Sequence, residues 1–451
     1  MTKTLPWLCA ALFALMFTMM APSAALAQAG PTAAPTSTVD VHSLPPAGVT
    51  NFDVEKATNA YLAKISGEAR QKSDSYFEGG YWLILWDALV AIAVSAILLF
   101  TRISARMRKT AEGITRSRFW QVPIYIILYT VLTTVLTFPM TVYEEFLREH
   151  QYGLSNQNFM QWFGDFAIIT GVNFGVVVIL GTIIYAVIRA TPRYWWVWGT
   201  GVMIVFFVIG AAIAPVYISP LLNQYKPLRE GELKQNILSL ARSEGIPVTN
   251  VYEFDASKQT KRMSANVSGL FGTTRISMND NLLNRGSDRE ILAVLGHEMG
   301  HYVLGHVTTG IMMFGLVILA GFAFTAWGFG ALTSAFGGVW DVRSVDDPAG
   351  LPVLMALVSF FFLIATPITN TITRTQEAQA DIFGVNASRQ PDGFAQAALH
   401  LSEYRKLDPG AWEEFVFYDH PSGRNRIHMM MVWKKEHLKD ADIIAGPVSP
   451  Q

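Results

Sequence analysis

The sequence predicts a mostly α-helical protein that crosses a lipid bilayer several times and carries a large polar portion on one side of it. Three observations lead there. Of the 451 residues 51% are hydrophobic and only 15% are charged, with a mean hydropathy of +0.29, a balance that belongs to membrane chains. The apolar residues gather into six runs, each near the ~20 residues that a helix needs to span a bilayer. Between the fourth and fifth runs lies a long polar stretch with its own helix and hairpin signals.

Residues 1–27 combine Lys3, an apolar run from Leu5 to Met20 and the small-residue site Ala25-Leu26-Ala27. They read as a signal peptide or an uncleaved first membrane helix. Residues 28–81 form an exported N-terminal region, of which 28–50, rich in Pro, Ala, Ser and Thr, read as a disordered stalk. Four spans follow within 82–218, at 82–100, 120–143, 166–188 and 195–218, and two more within 309–372, at 309–333 and 351–372.

The loop between the first two spans holds Arg102, Arg106, Arg108, Lys109, Arg116 and Arg118 against Glu112 alone, a bias that keeps short loops in the cytoplasm. Arg189 and Arg193 agree. By alternation, residues 28–81, the acidic loop with Glu144, Glu145 and Glu149, the polar stretch 219–308 and the tail 373–451 face the other side. In a bacterial inner membrane that side is the periplasm. The loop after the fifth span runs against the pattern, with Asp341, Asp346 and Asp347 against Arg343, but acidic residues weigh little in the rule. Trp82, Trp120, Trp195 and Trp196 at span ends suit interfacial anchoring. Asp87 and Asn173 fall inside spans, where a polar group is expected to face a cavity or another helix.

A net charge of −1 and a pI near 6.8 leave no basic surplus for nucleic acid. The single cysteine, Cys9, sits in the leading segment, so a metal must be held by His, Asp or Glu.

Such ligands occur together. Ser287 and Glu290 form a capping box opening a helix, which then reads His297-Glu298-Met299-Gly300-His301. Histidines four apart share one helix face and can reach a single zinc ion, with Glu298 placed to take a proton from metal-activated water. The spacing is informative but insufficient by itself. Further along, Glu377 and Asp381 are again four apart, so Glu377 can be the third ligand while Asp381 fixes the tautomer of a ligating histidine. Two spans between the motifs return Glu377 to the side His301 left, and three protein ligands leave a fourth position open for chemistry. Residues 219–308 and 373–451 thus form the two parts of one catalytic region. Asn266–Leu270 and Thr274–Met278 read as a β-hairpin, whose Asn266, Val267, Ser268 and Gly269 are expected to pair with an extended substrate. His306 is expected to lie past the metal and serve structure.

The chain resembles the integral-membrane zinc endopeptidases of the CAAX prenyl protease type 1 family. The resemblance lies in Glu144-Glu145 to Gly153, Pro215 to Pro227, Asn266 to Leu283, Val294 to His301 with Leu304-Gly305-His306, Glu377 to Asp381, and His420-Pro421 with Arg426-Ile427. It implies a barrel of tilted membrane helices around a chamber, with a mixed α/β zincin-like catalytic cap and one zinc per chain. It further implies that His420 donates to the oxyanion and that Arg426 holds catalytic groups or substrate. The expected partners are the bilayer and membrane-associated or exported polypeptides; prenylated substrates do not carry over to a periplasmic face. The competing reading is a catalytically silent membrane scaffold or chaperone that keeps fold and metal, against which stand intact Glu298, Glu377 and His420.

Overall fold

Each apolar run lies within a longer helix in the computed structural model, which describes residues 52–269, 274–439 and 441–442. The leading segment 1–27 with Cys9, the stalk 28–50 and the hairpin tip at 270–273 lie outside the described residues. The long helices are α1 (Gly67–Phe100), α2 (Arg118–Gln151), α3 (Phe159–Ala190) and α4 (Trp195–Leu222). A four-stranded sheet follows: β1 (Tyr225–Pro227), β2 (Val251–Phe254), β3 (Ala265–Ser268) and β4 (Arg275–Asn279). Then come α5 (Asp288–Val303), the spans α6 (His306–Trp340) and α7 (Leu351–Ser388), and α8 (Pro391–Leu401), α9 (Ala411–Phe417) and α10 (Gly423–Glu436).

The helices overrun the bilayer because their polar ends find partners beyond it. In α1 the turns before Trp82 dock on the C-terminal region, where Ser73 donates to the Ser402 carbonyl and Tyr81 to Glu413. The spans form a ring: α1 packs on α7, α7 on α6, α6 on α4, α4 on α3, α3 on α2, and α2 returns to α1. This closed circuit is the expected helical barrel. Its wall helix α3 is buried over only 6% of its most apolar window. Trp82 and Trp120 are exposed as anchors should be, at 64% and 60%, but Trp195 is 3% exposed and packs against Phe322. It belongs to the core and not to the interface.

The acidic loop that opposed the charge pattern has a structural explanation. Arg108, on the helix Ile103–Ile114 of the basic loop, reaches Asp347 at 2.6 Å and Asp341 at 3.0 Å. Two of the three acids therefore neutralise a buried cation from the opposing loop, and both loops lie at the same end of the barrel.

At the other end the sheet has the order β1-β2-β4-β3, with β2 and β4 parallel and β3 antiparallel to β4 in the register Asn266↔Ser277 and Val267↔Ile276. Strand β3 is thus an edge, resting on α5. Beneath the sheet, Ile237, Val251, Ile276, Leu282 and Leu295 form a core with no measurable exposure. The helix Val54–Leu62 lies against α10, and Tyr61 donates to Asp392.

Candidate metal centre

Helix α5 starts where the sequence places it. The Ser287 side chain caps the Glu290 amide, Glu290 returns the bond to the Ser287 amide at 2.8 Å, and the helix then runs buried from Glu290 to Gly300. Its position against α7 is set by small residues. A Cβ on Gly384 would lie 2.6 Å from the His297 amide nitrogen, and one on Gly296 would lie 2.9 Å from the Gly384 carbonyl oxygen. Gly300 faces Ala380 in the same way. Backbones this close bring the next residues along each helix, His297 and His301 on α5 and Glu377 and Asp381 on α7, into direct contact.

The result is a convergence of acceptors. His297 Nε2 lies 3.2 Å from Glu377 Oε2, His301 Nε2 lies 3.4 Å from Glu377 Oε1, and the two Nε2 atoms are 3.1 Å apart. Each ring is oriented from behind through its other nitrogen. Asp381 accepts from His297 Nδ1 at 2.8 Å and is itself clasped by Arg426, whose Nε donates to Oδ2 at 2.8 Å and whose Nη2 donates to Oδ1. His301 Nδ1 meets His306 Nδ1 at 2.9 Å, and His306 Nε2 meets Gln379 Oε1 at 3.1 Å. With the Gln379 oxygen as acceptor, the proton order is fixed: His306 donates from Nε2, accepts at Nδ1, and leaves the His301 Nε2 lone pair facing Glu377. His306 therefore does not lie past the site. It starts α6 and holds a candidate ligand by its far nitrogen, the arrangement that metal-ligating histidines require.

Among the described residues, His297, His301 and Glu377 are the one group of three or more His, Cys, Asp or Glu side chains with ligand atoms within 4.8 Å of one another. They fit a divalent cation of the zinc type, since two imidazole lone pairs and a buried carboxylate aimed at one point repel each other unless a cation sits between them. His420 Nε2 approaches Glu377 Oε2 to 3.1 Å without hydrogen-bonding geometry, and both atoms are buried with no hydrogen-bond partner. Behind it, His420 Nδ1 meets Asp419 Oδ1 at 2.9 Å. Burial would raise the Asp419 carboxyl, but His420 and Arg405 beside it prevail and hold it below the usual carboxylate range.

Glu298 is 7% exposed and, with His297, Glu377, His420 and Arg426, lines a cavity of ≈ 30 Å³, room for a water molecule. Burial raises its carboxyl above the ordinary value, against the pull of His297 and His301. Asn266 and Val267 lie on the edge strand beside α5, with Ser268 at its end and Gly269 at φ +112° just beyond. The structure thus brings together Glu298, His420 and Arg426 with the three candidate ligands and Asp381. Sequence reasoning missed Asp419 and misplaced His306. For His306 the clue was its position five residues after His301, across a helix break at Gly305 that turns the chain back; for Asp419 only its adjacency to His420 pointed there.

Comparison with known proteins agrees with this geometry. Residues 227–434 match the model of peptidase family M48, and residues 53–224 match the CAAX prenyl protease N-terminal region described as five membrane helices. The chain is 30% identical to a Bacillus subtilis protein named uncharacterized metalloprotease YhfN, over 73% of this chain and 78% of that one. It is 28% identical to CAAX prenyl protease 1 of Saccharomyces cerevisiae, over 66% of this chain and 70% of that one. The crystal structure of S. mikatae Ste24p superposes with a TM-score of 0.68 at 20% identity, covering 84% of this chain and 94% of the other. A barrel of six long apolar helices closed over a buried His-Glu-x-x-His site, matched along both halves, places the chain in peptidase family M48. It is a multi-pass membrane metalloprotease of the CAAX prenyl protease type.

Proposed function

We propose that the protein is a zinc-dependent endopeptidase that cuts membrane-associated or exported polypeptides, its catalytic region on the periplasmic face of a bacterial inner membrane. The observation that carries this reading is the meeting of His297 and His301 on α5 with Glu377 on α7, beside the buried carboxyl of Glu298. Bound zinc supplies Lewis acidity to the scissile carbonyl and to the attacking water.

The chain's own groups do the rest. Glu298 takes the water's proton and returns it to the leaving amine. Asp381, clasped by Arg426, keeps the proton of His297 on Nδ1 and so keeps Nε2 available. Asp419 accepts from His420 Nδ1 and so turns the Nε2 edge of the ring toward the site, the edge from which His420 would donate to the oxyanion. Asn266 to Ser268, with Gly269 just beyond, lie on the strand at the edge of the described sheet, where a substrate backbone would pair. A basic loop at the far end of the barrel, with the Arg108 cluster buried there, supports the orientation. Nothing in the site favours the silent scaffold.

The test is metal analysis and cleavage of an unstructured fluorogenic peptide by the detergent-purified chain. About one zinc per chain is expected, together with hydrolysis that stops on chelation and returns with zinc. Hydrolysis that persists in metal-free protein would refute the reading.

A further inference from the structure

A second cavity plays no part in the chemistry described so far. It measures ≈ 310 Å³ and lies between α1, the end of α2 and the chain just before β3. Its location follows from two local features. Helix α2 loosens into a π-helical stretch at Val142–Leu147, a geometry that recurs at functional sites, and this turn directs Glu144 and Glu145 to the cavity wall. Across from them stand the rings of Tyr76, Tyr81, Trp162 and Phe417, with Tyr81 and Phe417 stacked at 4.0 Å.

The charges in the wall do not cancel. Arg262 is taken by Glu149, at 2.8 Å, and by the Tyr76 hydroxyl. Arg148 donates to the Tyr76 carbonyl and lies over the Tyr76 ring at 3.9 Å. Among the described residues, no cation stands within ion-pair distance of Glu144 or Glu145. Glu144 is only 7% exposed, and the side chain its carboxyl meets is a second buried acid, Asp87, at 5% exposure, while its Oε1 makes no hydrogen bond into the cavity wall. Buried acids gathered with no cation beside them are costly, and these border a space walled by aromatic faces, the combination that receives an organic cation. A metal ion does not suit the site, since the one group of His, Cys, Asp and Glu with metal-ligand spacing among the described residues is elsewhere.

We infer that this cavity is a subsite for a basic side chain, lysine or arginine, of the polypeptide substrate; the inference rests on the endopeptidase reading. Its position supports a role close to the cut. Gln259, Thr260 and Arg262 of the wall lead directly into the edge strand β3, and Phe417 lies three residues before His420. A substrate paired along β3 would carry one of its side chains into the cavity, a few residues from the scissile bond.

The experiment uses the full chain in detergent. In the Glu298→Gln background, unstructured labelled peptides carry a single lysine or norleucine, moved position by position, and binding is measured for each pair. At one position lysine is expected to bind about tenfold tighter than norleucine or better. That ratio should fall to about one in Glu144→Gln/Glu145→Gln. Glu145→Lys, at a half-buried position of the wall, should shift the preference to glutamate and covers the case in which the double variant misfolds. Absence of a lysine preference at every position, or a preference that survives both variants, overturns the inference. Cleavage by the otherwise wild-type chain is followed in parallel. A chain that cuts none of the peptides while the lysine preference persists in binding sinks the hydrolase reading and leaves the cation site standing.

Discussion

Glu298→Gln is expected to lower peptide hydrolysis by about 10²–10⁴-fold while the purified protein keeps its metal and its helical content. The side chain is no ligand in the proposed centre, so its amide leaves His297, His301 and Glu377 as they are. What is lost is the carboxylate that accepts and returns the proton. The substitution is nearly isosteric in a site where the residue is 7% exposed, so a packing defect does not explain a loss of this size. Single-turnover cleavage with zinc analysis on the same sample is the measurement. A variant that cuts at the wild-type rate would remove Glu298 from the mechanism.

The second large effect concerns a residue that touches no substrate. Gly384→Ala should strip the protein of zinc almost as effectively as Glu377→Ala. The added methyl would sit 2.6 Å from the His297 amide nitrogen and 2.8 Å from its Cα, a distance that only separation of α5 and α7 can relieve. Separation pulls Glu377 away from both histidines. Gly330→Ala, where a Cβ meets nothing within 4 Å, is the matched control and should keep its metal. His306→Ala should fall between them, with zinc held about 10–100-fold more weakly, because only the support of His301 is lost. Competition against a chelator ranks the four variants, and a Gly384→Ala protein with undiminished affinity contradicts the argument.

Much of this was legible in the sequence because the signals are strong where physics leaves few options. A bilayer admits only long apolar helices at these positions, so six runs gave six spans. The four-residue spacing of His297 and His301, and of Glu377 and Asp381, can serve one point only from helix faces. Other features depend on pairs of distant residues and leave no periodic trace. Arg108 and Asp347 are 239 positions apart, and a loop-by-loop count of charge treats them as opposing evidence although they form one buried cluster. The helix ends were underestimated because hydropathy measures the lipid-facing portion and is silent about Ser73 or Tyr81, which continue α1 by docking on the C-terminal region. The hairpin was readable from its alternation, but the parallel pairing of β2 with β4, which leaves β3 at the edge, was not.

The path of the chain also fixes when the enzyme comes into being. His297 and His301 emerge before the last membrane hairpin is made, Glu377 only at the end of α7, and His420 and Arg426 later still. With the proposed ligand set, a nascent chain passes through translation and insertion with an incomplete centre until its final hairpin is threaded. Chains arrested before residue 377 should hold no zinc and cut nothing; a truncated chain that already hydrolyses peptide would show that no such delay exists.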